Sequence, residues 1–102
     1  MRTNEELVIP TKITLHNAYP NPFNPFTTIS YDIPEDNFVN LTIFDLAGKK
    51  IKTLLNESMV AGFRSLRWRG LDEQYQPVST GVYLCVFQVG NFRETKKIIL
   101  LK

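Results

Sequence analysis

The sequence predicts an all-β fold: a small antiparallel β-sandwich, immunoglobulin-like in outline, with six to seven strands. Three observations predict it. Apolar and polar residues alternate with period two through several short segments. Clusters of glycine, proline, asparagine and aspartate punctuate the chain about every 8–12 residues. No segment carries a helical period of any length.

Each element can be justified in order. Residues 1–12 read as a linker or the tail of an upstream domain, and residues 13–102 as the sandwich. Residues 13–18 suit a short edge strand, with Ile13 and Leu15 alternating with Thr14 and His16. Tyr19-Pro20-Asn21-Pro22-Phe23-Asn24-Pro25 follows. Proline fixes φ and removes a donor, so this tract cannot be a central strand. It predicts an extended, polyproline-like crossing with Phe23 and Phe26 free to pack. Residues 27–33 alternate, with Ile29, Tyr31 and Ile33 on one face. Pro34-Glu35-Asp36-Asn37 is a turn. Residues 38–45 turn Val39, Leu41 and Ile43 inward, and Asp45-Leu46-Ala47-Gly48 makes a hairpin loop. Residues 49–55 return, and 56–62 read as a looser connection. Leu66 and Trp68 share one face of residues 63–69, and a polar loop runs from 70 to 80. Residues 82–89 are apolar on both faces, which predicts a central, largely buried strand. Gly90-Asn91 is a two-residue hairpin signal, and residues 93–101 pair back with Ile98 and Leu100 on one face.

The 102 residues make one domain, 43% hydrophobic and 22% charged, too apolar for disorder. A formal charge of +2 argues against strong attraction to nucleic acid or anionic membrane. No apolar run approaches the roughly 20 residues of a membrane helix. Glu5 and Glu6 interrupt any signal-peptide pattern, so the chain reads as cytoplasmic or as a fragment of a longer exported protein.

Chemistry is sparse. Cys85 is the only cysteine, so neither an internal disulfide nor a cysteine metal cluster can form. Its apolar strand setting marks a small buried hydrophobe. His16 is the only histidine, and no serine carries an elbow motif. The acidic residues are scattered through turns, and Asp72-Glu73 lacks the ligand spacing of a calcium loop. No glycine loop cradles phosphate. No catalytic residue, metal site or cofactor is expected. Twelve aromatics leave a sugar platform open, although Tyr31, Trp68, Tyr83 and Phe87 fall on inward faces. Tyr19, Phe23, Phe26, Phe63, Tyr75 and Phe92 sit in or beside loops. Arg64, Arg67 and Arg69, with Lys49, Lys50 and Lys52, are expected to form a solvated basic sheet face.

Four pieces together resemble a known family. They are Leu15-His16-Asn17-Ala18-Tyr19-Pro20-Asn21-Pro22-Phe23-Asn24-Pro25; Val39-Asn40-Leu41-Thr42-Ile43-Phe44-Asp45-Leu46-Ala47-Gly48; Trp68-Arg69-Gly70-Leu71-Asp72; and Gly81-Val82-Tyr83 with Lys96-Lys97-Ile98-Ile99-Leu100-Leu101-Lys102. The chain resembles the type A C-terminal sorting domain of the bacterial type IX (Por) secretion system. The immunoglobulin-like domain of flagellar hook-capping proteins is a related group. Two departures fall in one loop region: Arg69 stands where the family usually has aspartate, and Gln74-Tyr75-Gln76 where a glycine-bearing turn is common.

The resemblance implies a non-catalytic address label. An N-terminal cargo would pass through the periplasm to an outer-membrane translocon. A sortase-like peptidase would then cleave the label, leaving the cargo on the cell surface or released. The terminal hairpin is the expected recognition element, through Gly81, Tyr83, Lys96, Lys97, Ile98, Leu100 and Lys102. Gly81 would supply backbone freedom, and Tyr83 packing and a hydroxyl hydrogen bond. The final strand would dock by strand addition. Pro20, Pro22, Phe23, Pro25, Trp68 and Gly70 are expected to be structural. An exposed edge strand also lends itself to homodimer pairing. The competing readings are a carbohydrate-binding or spacer module of a secreted glycoside hydrolase, and a flagellar cap-type scaffold.

Overall fold

The computed structural model describes residues 8–102. The expected linker thus lies mostly outside the described residues. Seven strands follow in order: β1 (Thr14–Leu15), β2 (Thr27–Ile33), β3 (Asn37–Asp45), β4 (Lys50–Met59), β5 (Gly62–Trp68), β6 (Gly81–Val89) and β7 (Phe92–Leu100). They form two antiparallel sheets, a three-stranded one in the order β1-β2-β5 and a four-stranded one in the order β4-β3-β6-β7. The predicted small β-sandwich is what the chain adopts.

The core lies between the sheets and is built by the alternation visible in the sequence. Ile29, Tyr31 and Ile33 of β2 face Val39, Leu41 and Ile43 of β3 and Tyr83, Cys85, Phe87 and Val89 of β6, all buried. Tyr31 and Phe87 pack ring to ring at 5.3 Å. The other face of β6 has no third layer over it. Val82 and Leu84 are half-buried there, shielded only by the neighbouring strands.

Two local expectations need correction. Residues 56–59 are not a loose connection: β4 runs on to Met59, with Asn56 opposite Asn40 and Ser58 opposite Phe38. The stretch Asn56-Glu57-Ser58 is polar because it lies exposed at the sheet edge, so its pairing left no apolar signature. The chain then changes sheet at Val60 and Ala61, where Asp36 accepts a hydrogen bond from the Ala61 amide at 2.9 Å. Second, Arg64 does not share a face with Arg67 and Arg69. Its guanidinium donates to the Val60 carbonyl at 2.8 Å, fastening the crossover. Arg67 instead stacks over Phe26 at 4.2 Å.

Candidate recognition site: the strapped terminal hairpin

The hairpin of β6 and β7 closes at Gly90-Asn91, with Val89 opposite Phe92. A two-residue turn makes that closing pair hydrogen-bonded, so every second residue of β7 bonds to β6. Ile98 and Leu100 fall in that set and are buried at 0% and 2% exposure. Arg93, Thr95, Lys97 and Ile99 turn their backbone groups the other way, toward the sheet edge.

The proline tract occupies the C-terminal half of that edge. The Asn21 side chain donates to the Lys97 carbonyl at 2.9 Å and accepts from the Ile99 amide at 2.9 Å. Phe23 continues the pairing with its backbone: its amide donates to Ile99, and its carbonyl accepts from Leu101. The segment runs parallel to β7. Asn21 sits between two prolines without N–H groups, and its side-chain amide stands in for a peptide group. Asn21 was not among the residues singled out from the sequence, yet this donor deficit was there to be read. The expected polyproline-like crossing is corrected: the bonds Tyr19-Pro20, Asn21-Pro22 and Asn24-Pro25 are all cis. Thr27, fully buried, donates to the Pro20 carbonyl at 2.7 Å and holds the far end of the strap.

An aromatic knot anchors the strap. Phe23 is 2% exposed and packs on Trp68 at 5.4 Å, and Trp68 packs edge-on to Tyr83 at 5.4 Å. The Trp68 indole donates to the Leu71 carbonyl at 3.0 Å, and the Tyr83 hydroxyl donates to the Ser79 carbonyl. Burial pushes the Tyr83 phenol above its ordinary pKa, and the Asp45 charge adds to it. Gly70 adopts φ +71°, and a Cβ there would lie 3.4 Å from Leu100, beside the Phe23 ring. The left-handed φ is what favours glycine there, since these distances are ordinary packing contacts. Phe23, Trp68 and Gly70 thus sit in one cluster, while Pro20, Pro22 and Pro25 stand exposed along the strap.

The expected recognition residues separate by accessibility. Tyr83, Ile98 and Leu100 are core residues. Lys97 and Lys102 are exposed, and Lys96 is half-buried beside Glu94 at 3.5 Å. Lys96 and Lys97 are adjacent in a strand, so they project from opposite faces and form no single basic patch. Gly81 differs from the expectation: its φ is not in the left-handed region and a Cβ would meet nothing within 4 Å. Neither backbone freedom nor close packing requires glycine there.

The remaining chemical groups have structural partners. The Cys85 thiol is pushed up to about 12 by burial, the opposite of an activated nucleophile. His16 meets Asp32 at 2.8 Å on the outer surface. Asp72 accepts from the Gln74 and Gln76 amides, and Glu73 from the Thr53 amide. These carboxylates build their loop. Among the described residues no three metal-ligating side chains gather. Among the described residues no helix is long and apolar enough to cross a membrane. Two of the exposed aromatics, Tyr19 and Phe63, lie apart. Tyr19 bridges to Thr28 and Phe63 lies opposite Asp32, four residues further along β2, roughly 13 Å away.

A family model described as the secretion system C-terminal sorting domain matches residues 17–101. The chain belongs to that family, the type IX secretion sorting signals. Among solved structures it is similar to dimeric latent PorU from Porphyromonas gingivalis, with a TM-score of 0.68 and 18% identity over 92% of this chain. The match covers 10% of the PorU chain, and at this identity it is a likeness of fold. Comparison with curated proteins finds no match.

Proposed function

We propose that residues 13–102 direct an N-terminally joined cargo, connected through residues 1–12, to the type IX outer-membrane translocon. In this reading the cargo crosses the periplasm, and a sortase-like peptidase removes the domain on the far side. The cargo is then attached to the cell surface or released. Recognition falls on the terminal hairpin and on its accessible groups: exposed Lys97 and Lys102, and half-buried Gly81 and Lys96. Tyr83, Ile98 and Leu100 act by holding these in place. The observation that supports this is the alternation on β7, which buries Ile98 and Leu100 while Lys97 stands in solvent.

The test exploits the contrast between two glycines. Gly81→Ala introduces a methyl group with nothing within 4 Å, so folding is expected to hold within about 0.5 kcal/mol. Gly70→Ala is expected to cost about 1–2 kcal/mol through its left-handed φ. Both are placed behind a fluorescent reporter in a host with the type IX system, and their melting temperatures are measured in parallel. Loss of export in a Gly81→Ala domain that melts normally supports recognition at this hairpin. Full export of that variant, together with a Lys97→Glu, Lys102→Glu double variant, sinks it.

A further inference from the structure

The strap divides the β7 edge into two halves of different fate. The Lys97 carbonyl, both Ile99 backbone groups and the Leu101 amide are taken by Asn21 and Phe23. That cover cannot lift off without pulling Phe23, 2% exposed and packed on Trp68, out of the core. At Arg93 and Thr95 the register aims the same groups at solvent, and both residues are exposed. A second copy is a poor occupant. Antiparallel self-pairing centred on Thr95 would set Arg93 opposite Lys97 on the same face, and like charges directly opposite are unfavourable. The same self-pairing would also run into Asn21. The one carboxylate on this stretch, Glu94, lies beside Lys96.

We propose that Arg93 and Thr95 form a short docking edge for an extended, acidic segment of a partner protein, added as a strand and stopped by the strap. Naming the export machinery as that partner rests on the sorting reading; the edge itself does not. Backbone pairing supplies the attachment, and Arg93 and Lys97 select for carboxylates.

The test is amide hydrogen exchange by NMR on residues 1–102, with two blocked peptides as probes. One alternates valine with glutamate and the other valine with lysine, each at millimolar concentration. The glutamate peptide is expected to slow exchange at Arg93 and Thr95 about tenfold, leaving Ile99 and Leu101 unchanged. Thr95→Pro should abolish this, since proline at an outward edge position removes the donor while leaving the pairing to β6. Arg93→Glu with Lys97→Glu should transfer the preference to the lysine peptide, which keeps the test informative if the proline variant misfolds. Protection by neither peptide, equal protection by both, protection confined to Ile99 and Leu101, or a concentration-dependent dimer of the unmodified domain would each overturn the proposal. Export is scored separately. If the unmodified reporter fusion stays inside the cell, the sorting reading fails while the exchange result stands. If Thr95→Pro loses the peptide but is exported normally, the export machinery is not the partner.

Discussion

At the scale of single residues, Tyr75 shows how a departure from the family pattern is accommodated. It adopts φ 63° in the loop where a glycine is common. Asp72 holds that loop by accepting from the Gln74 and Gln76 amides, and Lys52 lies 4.3 Å over the Tyr75 ring. A left-handed conformation costs a non-glycine residue roughly 1–2 kcal/mol, and an exposed cation–π contact returns about 0.5–1 kcal/mol. Glycine's extra unfolded-state freedom offsets about 0.5–1 kcal/mol more, so Tyr75→Gly should change stability by less than about 1 kcal/mol, whereas β-branched Tyr75→Val should lose about 1–2 kcal/mol. Urea denaturation of the two variants distinguishes them. Cys85 makes a pH prediction. Its thiol sits at about 12 in the folded chain against 9.0 for the free group. The folded state keeps a proton that the unfolded state releases, so this contribution is complete below pH 9 and is lost as pH climbs toward about 12. Tyr31 and Tyr83 are raised by burial too and act in the same direction. Stability measured by urea midpoint should fall between about pH 9 and pH 12, and less steeply in Cys85→Ala.

At the scale of elements, the strap is the piece whose loss can be measured most cleanly. Asn21→Ala removes the two hydrogen bonds that the side chain makes to Lys97 and Ile99 and leaves Phe23 in the core. The expected cost is about 1–2 kcal/mol, with faster amide exchange at Ile99 and little change at Ile98, whose partner is β6. Equal acceleration at both positions would show that the hairpin opens as a unit. The strap also marks where reading the sequence stopped short. Three prolines announced an interruption, and Phe23 announced an anchor. What the tract is interrupted for depends on a strand 76–78 residues away, and no local pattern encodes that contact. The second half of β4 was hidden for a related reason. An edge strand facing water needs no apolar alternation, so Asn56 and Ser58 looked like a loop.

At the scale of the whole molecule, the architecture was legible because a two-layer sandwich writes itself as alternation. The inward residues of β2, β3, β6 and β7 all stood at period-two positions, and Gly90-Asn91 fixed the last hairpin. Which strands share a sheet was not legible. β4 and β5 are neighbours in sequence, yet they belong to different sheets, and only Val60 and Ala61 lie between the last residue of one and the first of the other. Arg64 lies two residues before Leu66, so period two already sets it on the inward face, where its guanidinium serves the Val60 carbonyl at that crossover. The proposed recognition residues all fall on the terminal hairpin, and the alternation on β7 already set Ile98 and Leu100 apart from Lys97. That division follows from which side of β7 the other sheet covers.

The parallel course of the strap and β7 has a mechanical consequence. A tension drawn between the N-terminal side of Asn21 and the C-terminal side of Leu101 pulls the two segments past one another lengthwise. The four hydrogen bonds of Asn21 and Phe23 are then loaded together in shear, where an antiparallel pair would unzip one bond at a time. Stretched between these points in a force spectrometer, the domain should resist until the strap slides. Asn21→Ala should lower the rupture force by more than its effect on equilibrium stability implies, because forced unfolding follows the barrier rather than the equilibrium.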